Sequence, residues 1–123
     1  MKNQNLAESF KYAFSGIFET LKKERNFKIH ACAAICALGL SIFLKISVVE
    51  FVCILISIAM VLSAELINTA VESAVDLLMG EKRHPLAKAA KDAAAGAVLI
   101  SSINAAAVGA AIFLKRLIYL KWG

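Results

Sequence analysis

Three carboxylates and one amide recur along one face of a helix that the sequence predicts directly after a long apolar run. The four residues are Glu65, Asn68, Glu72 and Asp76. At roughly 100° per residue they lie at about 0°, 300°, 340° and 20°, so that they form one narrow stripe. Acidic side chains at membrane depth are costly and rarely occur without a function. The stripe therefore indicates a site for a metal ion, a proton or a phosphate-bearing substrate.

Charged residues outside the stripe could complete a site for phosphoryl transfer. That reaction needs a group that accepts a hydroxyl proton, a Mg²⁺ ion that bridges phosphates, and cations for the phosphate oxygens. Glu24 offers a further carboxylate before the first apolar span. The charged residues that follow the stripe are Lys82, Arg83, Lys88, Lys91 and Asp92. Because the sequence contains no glycine-rich phosphate loop, any nucleotide would have to be bound by these side chains.

The composition is that of a membrane protein. Of the 123 residues 60% are hydrophobic, against about 45–50% apolar residues in soluble domains. A chain of this length could not hide so much apolar surface in a soluble core, so lipid is the predicted solvent. A nucleic-acid-binding module is disfavoured because the basic residues flank the apolar spans instead of forming one face.

We expect an all-α membrane protein in which an amphipathic surface helix precedes three transmembrane helices, in a single domain over residues 1–123. The surface helix is predicted over about 6–21, where apolar residues recur at helical spacing. The helices that contain the spans are predicted over about 29–47, 48–78 and 88–115. The clearest span is the stretch Ala93–Leu114, which has 22 residues without a charge.

The positive charges predict how the chain is oriented in the membrane. Six of the 14 basic residues precede the first span, and four lie between the second and third spans. Since basic residues concentrate in cytoplasmic segments, we expect the N-terminus and the second of these regions on the cytoplasmic side. Three crossings then place the C-terminus outside, where its basic residues conflict with the charge rule. Three helices bury little surface, so we expect a homo-oligomer whose neighbouring chains cover the stripe.

The residue pattern resembles that of the prokaryotic diacylglycerol kinase family, which includes the undecaprenol kinases of Gram-positive bacteria. The resemblance is carried by ELINTAVESAVD at 65–76, HPLAKAAKDAAAGAV at 84–98, SFKYAFSGI at 9–17 and ERNFKIH at 24–30. These segments occur in collinear order over nearly the whole chain. The resemblance implies a lipid kinase of the bacterial cytoplasmic membrane, a homotrimer with a surface helix, three spans and active sites shared between subunits.

The resemblance also implies roles for the residues that match the family's motifs. Glu65 would be the general base that takes the proton from the primary hydroxyl of a membrane lipid, and Asn68 would position the reacting groups. Glu24 and Glu72 would hold Mg²⁺ on ATP, and Lys91 would lie at the phosphates. The complete set of nucleotide-binding residues would be Tyr12, Glu24, Glu72, Lys82, Arg83, His84, Lys91 and Asp92.

The lipid acceptor has two candidates, and two non-kinase interpretations stay open from the residues alone. Asn26 and His30 resemble the Gram-positive branch and imply lipid contacts that favour undecaprenol over diacylglycerol. A small oligomer that conducts ions or protons along Glu65 and Glu72 would instead conduct without nucleotide and would not need Glu24. A membrane scaffold would use the stripe for assembly alone.

Overall fold

The computed structural model describes residues 5–122, and this part of the chain forms four α-helices without a strand. The helices are α1 (Leu6–Lys23), α2 (Arg25–Phe43), α3 (Val48–Met79) and α4 (Pro85–Trp122). The predicted all-α fold, with one shorter amphipathic helix before three apolar ones, is confirmed.

The last three helices are long and apolar enough to cross a membrane, over Arg25–Phe43, Val48–Met79 and Pro85–Leu120. α3 has 32 residues, about 48 Å at 1.5 Å per residue, whereas the hydrocarbon core of a bilayer is about 30 Å thick. A crossing by the segment 48–64, about 26 Å long, would leave Glu65 at one boundary of the hydrocarbon core. The rest of the stripe would then continue beyond that boundary.

α1 and α2 meet at a single extended residue, Glu24. The side chain of Asn5 caps α1 by accepting a hydrogen bond from the backbone N–H of Glu8 at 2.8 Å. Glu24 has φ −99° and ψ 116°, and its own N–H still donates to the carbonyl of Thr20 at 2.8 Å. The predicted helices, over about 6–21 and 29–47, left residues 22–28 between them. All of these residues except Glu24 are helical instead, because lysine and arginine have good helix propensity.

Specific caps fix the turn between α2 and α3. The N–H groups of Lys45 and Ile46 donate to carbonyls in the last turn of α2 at 3.2 and 3.3 Å, the paired bonds of a Schellman motif. Lys45 takes the left-handed conformation, with φ 52°, that glycine usually occupies there. α3 then begins with a capping box in which the side chain of Ser47 and that of Glu50 each accept the other's backbone N–H.

The loop between α3 and α4 is short, and α4 begins earlier than predicted. α3 ends at Met79, and the next residue, Gly80, has a φ of 56° that suits glycine. His84 caps α4, since its Nδ1 accepts the backbone N–H of Leu86 at 3.0 Å. Pro85 is the first helical residue, where its missing N–H costs nothing. This cap moves the start of α4 three residues ahead of the predicted position.

An ion pair joins α3 and α4 at the end of the hairpin away from that loop. Arg116 of α4 contacts Glu50 in the first turn of α3. α3 and α4 form the most extensive helix contact among the described residues. Arg116 is one of the basic C-terminal residues that conflict with the charge rule. Glu50 neutralises its charge within the same chain.

The apolar core of the single chain is small. Most large apolar side chains on all four helices are exposed, as expected of surfaces that face lipid or another copy. The few buried apolar residues are Phe27, Leu44, Ile54, Val61 and Ala64. The polar groups of α3 are therefore held mainly by α2 and α4.

Candidate active site

The stripe on α3 runs from a buried end to an exposed end. The side chain of Glu65 is 4% exposed, Asn68 and Glu72 are half-buried, and Asp76 is exposed. The Nδ2 atom of Asn68 donates to Glu72 Oε1 at 3.2 Å, whereas its Oδ1 is buried without a hydrogen-bond partner among the described residues. A buried oxygen without a donor is the kind of atom that a ligand or cation would satisfy.

The carboxylate of Glu65 contacts the imidazole of His30. The distance from His30 Nε2 to Glu65 Oε1 is 3.4 Å, and the His30 side chain is 25% exposed. His30 lies in the second turn of α2, so this contact depends on how α2 packs against α3. Sequence analysis named both residues but did not predict that they touch, because that depends on the rotation of two helices about their axes.

A basic pocket of about 580 Å³ lies where α3, the loop and α4 meet. It brings together five of the predicted nucleotide-binding residues, namely Lys82, Arg83, His84, Lys91 and Asp92. Four cationic side chains and two carboxylates line it, which gives a formal charge of 4 − 2 = +2 with histidine neutral. A positively charged pocket of this size suits a phosphate-bearing ligand.

Two ion pairs hold two of the three lysines that line this pocket. Lys91 Nζ contacts Asp76 Oδ1 at 2.6 Å across the hairpin, and Lys88 Nζ contacts Asp92 Oδ2 at 2.6 Å within α4. Asp76 thus supplies the counter-charge of the Lys91 amine. The sequence pattern places Asp76 in the stripe but does not predict its pairing with Lys91 of the next helix.

An apolar groove of about 320 Å³ runs between α2, α3 and α4 and reaches His30. Small side chains make room for it, among them Ala33 and Ala37 of α2 and Gly109 of α4. Its walls are almost entirely apolar, so it suits a hydrocarbon chain and not a nucleotide. Glu65, the candidate general base, and the pocket that contains Lys91 thus follow one another along α3.

Six predicted site residues line neither cavity, namely Glu65, Asn68 and Glu72 of the stripe and three residues outside it. Tyr12 is exposed on α1, Asn26 is exposed in the first turn of α2, and Glu24 is half-buried at the bend between these helices. Within the described residues, the Glu24 carboxylate makes no ion pair or side-chain hydrogen bond. One copy of the chain therefore does not bring all the predicted nucleotide-binding residues together.

The oxygen donors on α3 fit a hard cation such as Mg²⁺. Between residues 5 and 122 no group of three or more His, Cys, Asp or Glu side chains is arranged to hold a metal ion. Mg²⁺ does not require such a group, because it commonly uses one or two protein carboxylates and keeps water and phosphate as its other ligands. The carboxylate of Glu72 beside the unpartnered Oδ1 of Asn68 meets that requirement.

Known proteins share this sequence over most of its length. A protein-family model described as "Prokaryotic diacylglycerol kinase" matches residues 11–113. An undecaprenol kinase of Bacillus subtilis (strain 168) is 46% identical over 110 residues, which cover 89% of each chain. A diacylglycerol kinase of Synechocystis sp. is 39% identical over 116 residues, 94% of this chain and 66% of that protein. The diacylglycerol kinase of Escherichia coli (strain K12) is 30% identical over 94 residues, 76% of each chain.

Proposed function

The chain belongs to the prokaryotic diacylglycerol kinase family, and from this premise we propose that it transfers the γ-phosphate of ATP to the primary hydroxyl of a membrane lipid. The observation that carries the proposal is the order of groups along α3. A buried carboxylate, Glu65, comes first, and a basic pocket that contains Lys91 follows at the helix end. An acceptor from the membrane and a donor from water can meet between them.

Glu65 would act as the general base. Its carboxylate takes the proton of the lipid hydroxyl, while the oxygen forms a bond to the γ-phosphorus and the bond to the ADP oxygen breaks. Its position after the apolar segment 48–64 suits a lipid whose head group stays at the membrane interface. Holding acceptor and donor side by side supplies much of the rate enhancement in such transfers.

The basic pocket would bind the nucleotide. Lys91 would neutralise charge on the phosphate oxygens, and Lys82 and Arg83 would add two further cations from the loop. Asn68 and Glu72 would hold Mg²⁺ together with Glu24. The ion would supply neutralisation of phosphate charge. Binding of ATP would have to displace Asp76 from Lys91, since the carboxylate and a phosphate oxygen would compete for the same amine.

We also propose a homotrimer with active sites shared between chains. Tyr12, Glu24 and Glu72 line neither cavity of one chain, and a neighbouring copy would be able to bring such residues to the nucleotide. The exposed apolar side chains of all the helices supply surface for such contacts. The N-terminus and the basic pocket would face the cytoplasm of a bacterial cell, where ATP is available.

Undecaprenol is the acceptor that we favour over diacylglycerol. The Bacillus relative at 46% identity is named an undecaprenol kinase, and Asn26 and His30 fit the Gram-positive pattern. The apolar groove that reaches His30 could take a hydrocarbon chain next to the base. With undecaprenol the enzyme would serve recycling of a carrier lipid, and with diacylglycerol it would serve phospholipid salvage. The ion-conducting alternative has no support from the comparisons.

Transfer of labelled phosphate from ATP to lipid in detergent–lipid micelles tests the proposal. Undecaprenol and diacylglycerol are offered separately, and Glu65→Gln serves as the blank because an amide cannot take up the proton. We expect labelling of both lipids, faster for undecaprenol, with Mg²⁺ required. Faster labelling of diacylglycerol would overturn the favoured acceptor. No labelling of either lipid by well-assembled protein would overturn the kinase function.

A further inference from the structure

We propose that His30 is a positioning residue for Glu65. Its imidazole donates a hydrogen bond from Nε2 to Oε1 of Glu65 and thereby directs the second oxygen, Oε2, toward the hydroxyl of the acceptor. The inference rests on the proposed function only for the role of Glu65 as the base. It gives His30 a role beside the lipid contact that the sequence pattern implies.

Burial of Glu65 is the first argument. With its side chain 4% exposed, the carboxylate has lost nearly all of its water, and a buried carboxylate without donors is strongly disfavoured. Among the described residues, His30 is the one group in ion-pair contact with it, at 3.4 Å. This separation is slightly longer than a hydrogen bond, as is common for catalytic groups before the substrate binds.

The surroundings of the pair are the second argument. The groove around His30 receives only apolar or hydroxyl-bearing side chains from α3 and α4, so neither helix brings another ionisable group to this groove. Asn26, one turn earlier on α2, is exposed. Of the two residues of the sequence pattern, His30 is the one that the described residues show in ion-pair contact with Glu65. Among these residues, the groove lining contains no second carboxylate that could compete for the Nε2 proton.

The chemical argument concerns the two oxygens of a carboxylate. A glutamate side chain without a fixed partner samples several rotamers. In most of them the carboxylate is not aligned with the hydroxyl. A donor on Oε1 selects one rotamer and leaves Oε2 free to receive the proton, as an orienting third group does in other base–nucleophile arrangements. The proton moves from the lipid oxygen to Oε2, and the Nε2 proton stays on His30 throughout.

Steady-state kinetics of two substitutions distinguish whether His30 positions Glu65 or contacts the lipid. His30→Leu removes the donor, and we expect kcat to fall at least about tenfold with the KM values for lipid and ATP within about twofold. His30→Gln keeps an N–H donor, and we expect it to recover most of the lost rate. Cys32→Ala, an exposed change two residues away on α2, is the matched control. A raised lipid KM with normal kcat, or a His30→Gln variant as slow as His30→Leu, would overturn the assignment.

Nitrogen-15 NMR of labelled histidine tests the contact without any activity. The chain has two histidines, so His84→Gln identifies the His30 signal. We expect a proton on Nε2 of His30 that exchanges slowly with water, that survives in Glu65→Gln and that is lost in Glu65→Leu. A His30 ring without a proton on Nε2, or a proton unaffected by Glu65→Leu, would overturn the inference even if the kinase is active. Failure of wild-type protein to label lipid would instead overturn the proposed function.

Discussion

Replacing Asp76 by asparagine should tighten ATP binding. The substitution preserves the shape of the side chain but removes the charge that holds Lys91 at 2.6 Å. Lys91 is the cation that we place at the phosphates, so the wild-type protein must break this pair whenever a nucleotide binds. In Asp76→Asn that competition disappears, and the formal charge of the pocket rises from +2 to +3.

The size of the effect follows from the exposure of the pair. The side chain of Lys91 is 41% exposed and that of Asp76 is 66% exposed, and exposed ion pairs change an equilibrium constant only a few-fold. We therefore expect the Kd for ATP to fall about two- to fivefold. The gain should shrink as salt is raised, because mobile ions screen exposed charges. The midpoint of thermal unfolding should hardly change.

Calorimetric titration with a non-hydrolysable ATP analogue measures this Kd directly. Glu81→Gln is the matched control, since it removes one negative charge from the loop that follows α3, at a residue that does not line the pocket. Lys91→Gln in the Asp76→Asn background should abolish the gain, because the released amine is then missing. Weaker binding in Asp76→Asn, or an equal gain in Glu81→Gln, would refute the view that Asp76 and phosphate compete for Lys91.

Three further perturbations have definite expected outcomes. Glu50→Gln leaves the partly buried Arg116 without its counter-charge, so the unfolding midpoint in detergent should fall; an unchanged midpoint would show that the pair contributes nothing. Lys45→Gly should stabilise the protein by about 1 kcal/mol in denaturant titrations, because glycine adopts the left-handed conformation of this turn freely. Glu72→Gln should raise the Mg²⁺ concentration for half-maximal lipid phosphorylation at least about tenfold, and excess chelator should stop the wild-type reaction; a Glu72→Gln enzyme with normal Mg²⁺ dependence would exclude this residue as a ligand.

The elements that carry the site could be predicted well because their signals are periodic. The carboxylate stripe shares one helix, and three apolar helices follow the amphipathic one, as hydropathy and helical spacing indicated. The clustering of Lys82, Arg83 and Lys91 also agrees with the sequence, since a short loop must bring the ends of α3 and α4 together. Such features depend on local spacing, which the sequence contains.

Other features depend on the packing of helices and of chains, which local sequence patterns do not determine. The polar residues around Glu24 are compatible with helix or loop, and a single extended residue proved sufficient to separate α1 from α2. The contact between His30 and Glu65 depends on how far α2 is rotated against α3, which the caps at Lys45 and Ser47 help to set. Tyr12 lies away from both cavities of its own chain. It would need a second copy of the chain to take part in a site.

Glu50 and Arg116 are 66 residues apart in the chain, and this separation bears on how the protein enters the membrane. The first turn of α3 emerges during synthesis long before the end of α4. In the orientation that we propose, Glu50 would reach the far side of the membrane ahead of Arg116, and the pair would form only after the last helix had crossed. The pair would then favour the arrangement in which the basic end of α4 has crossed against the usual charge bias.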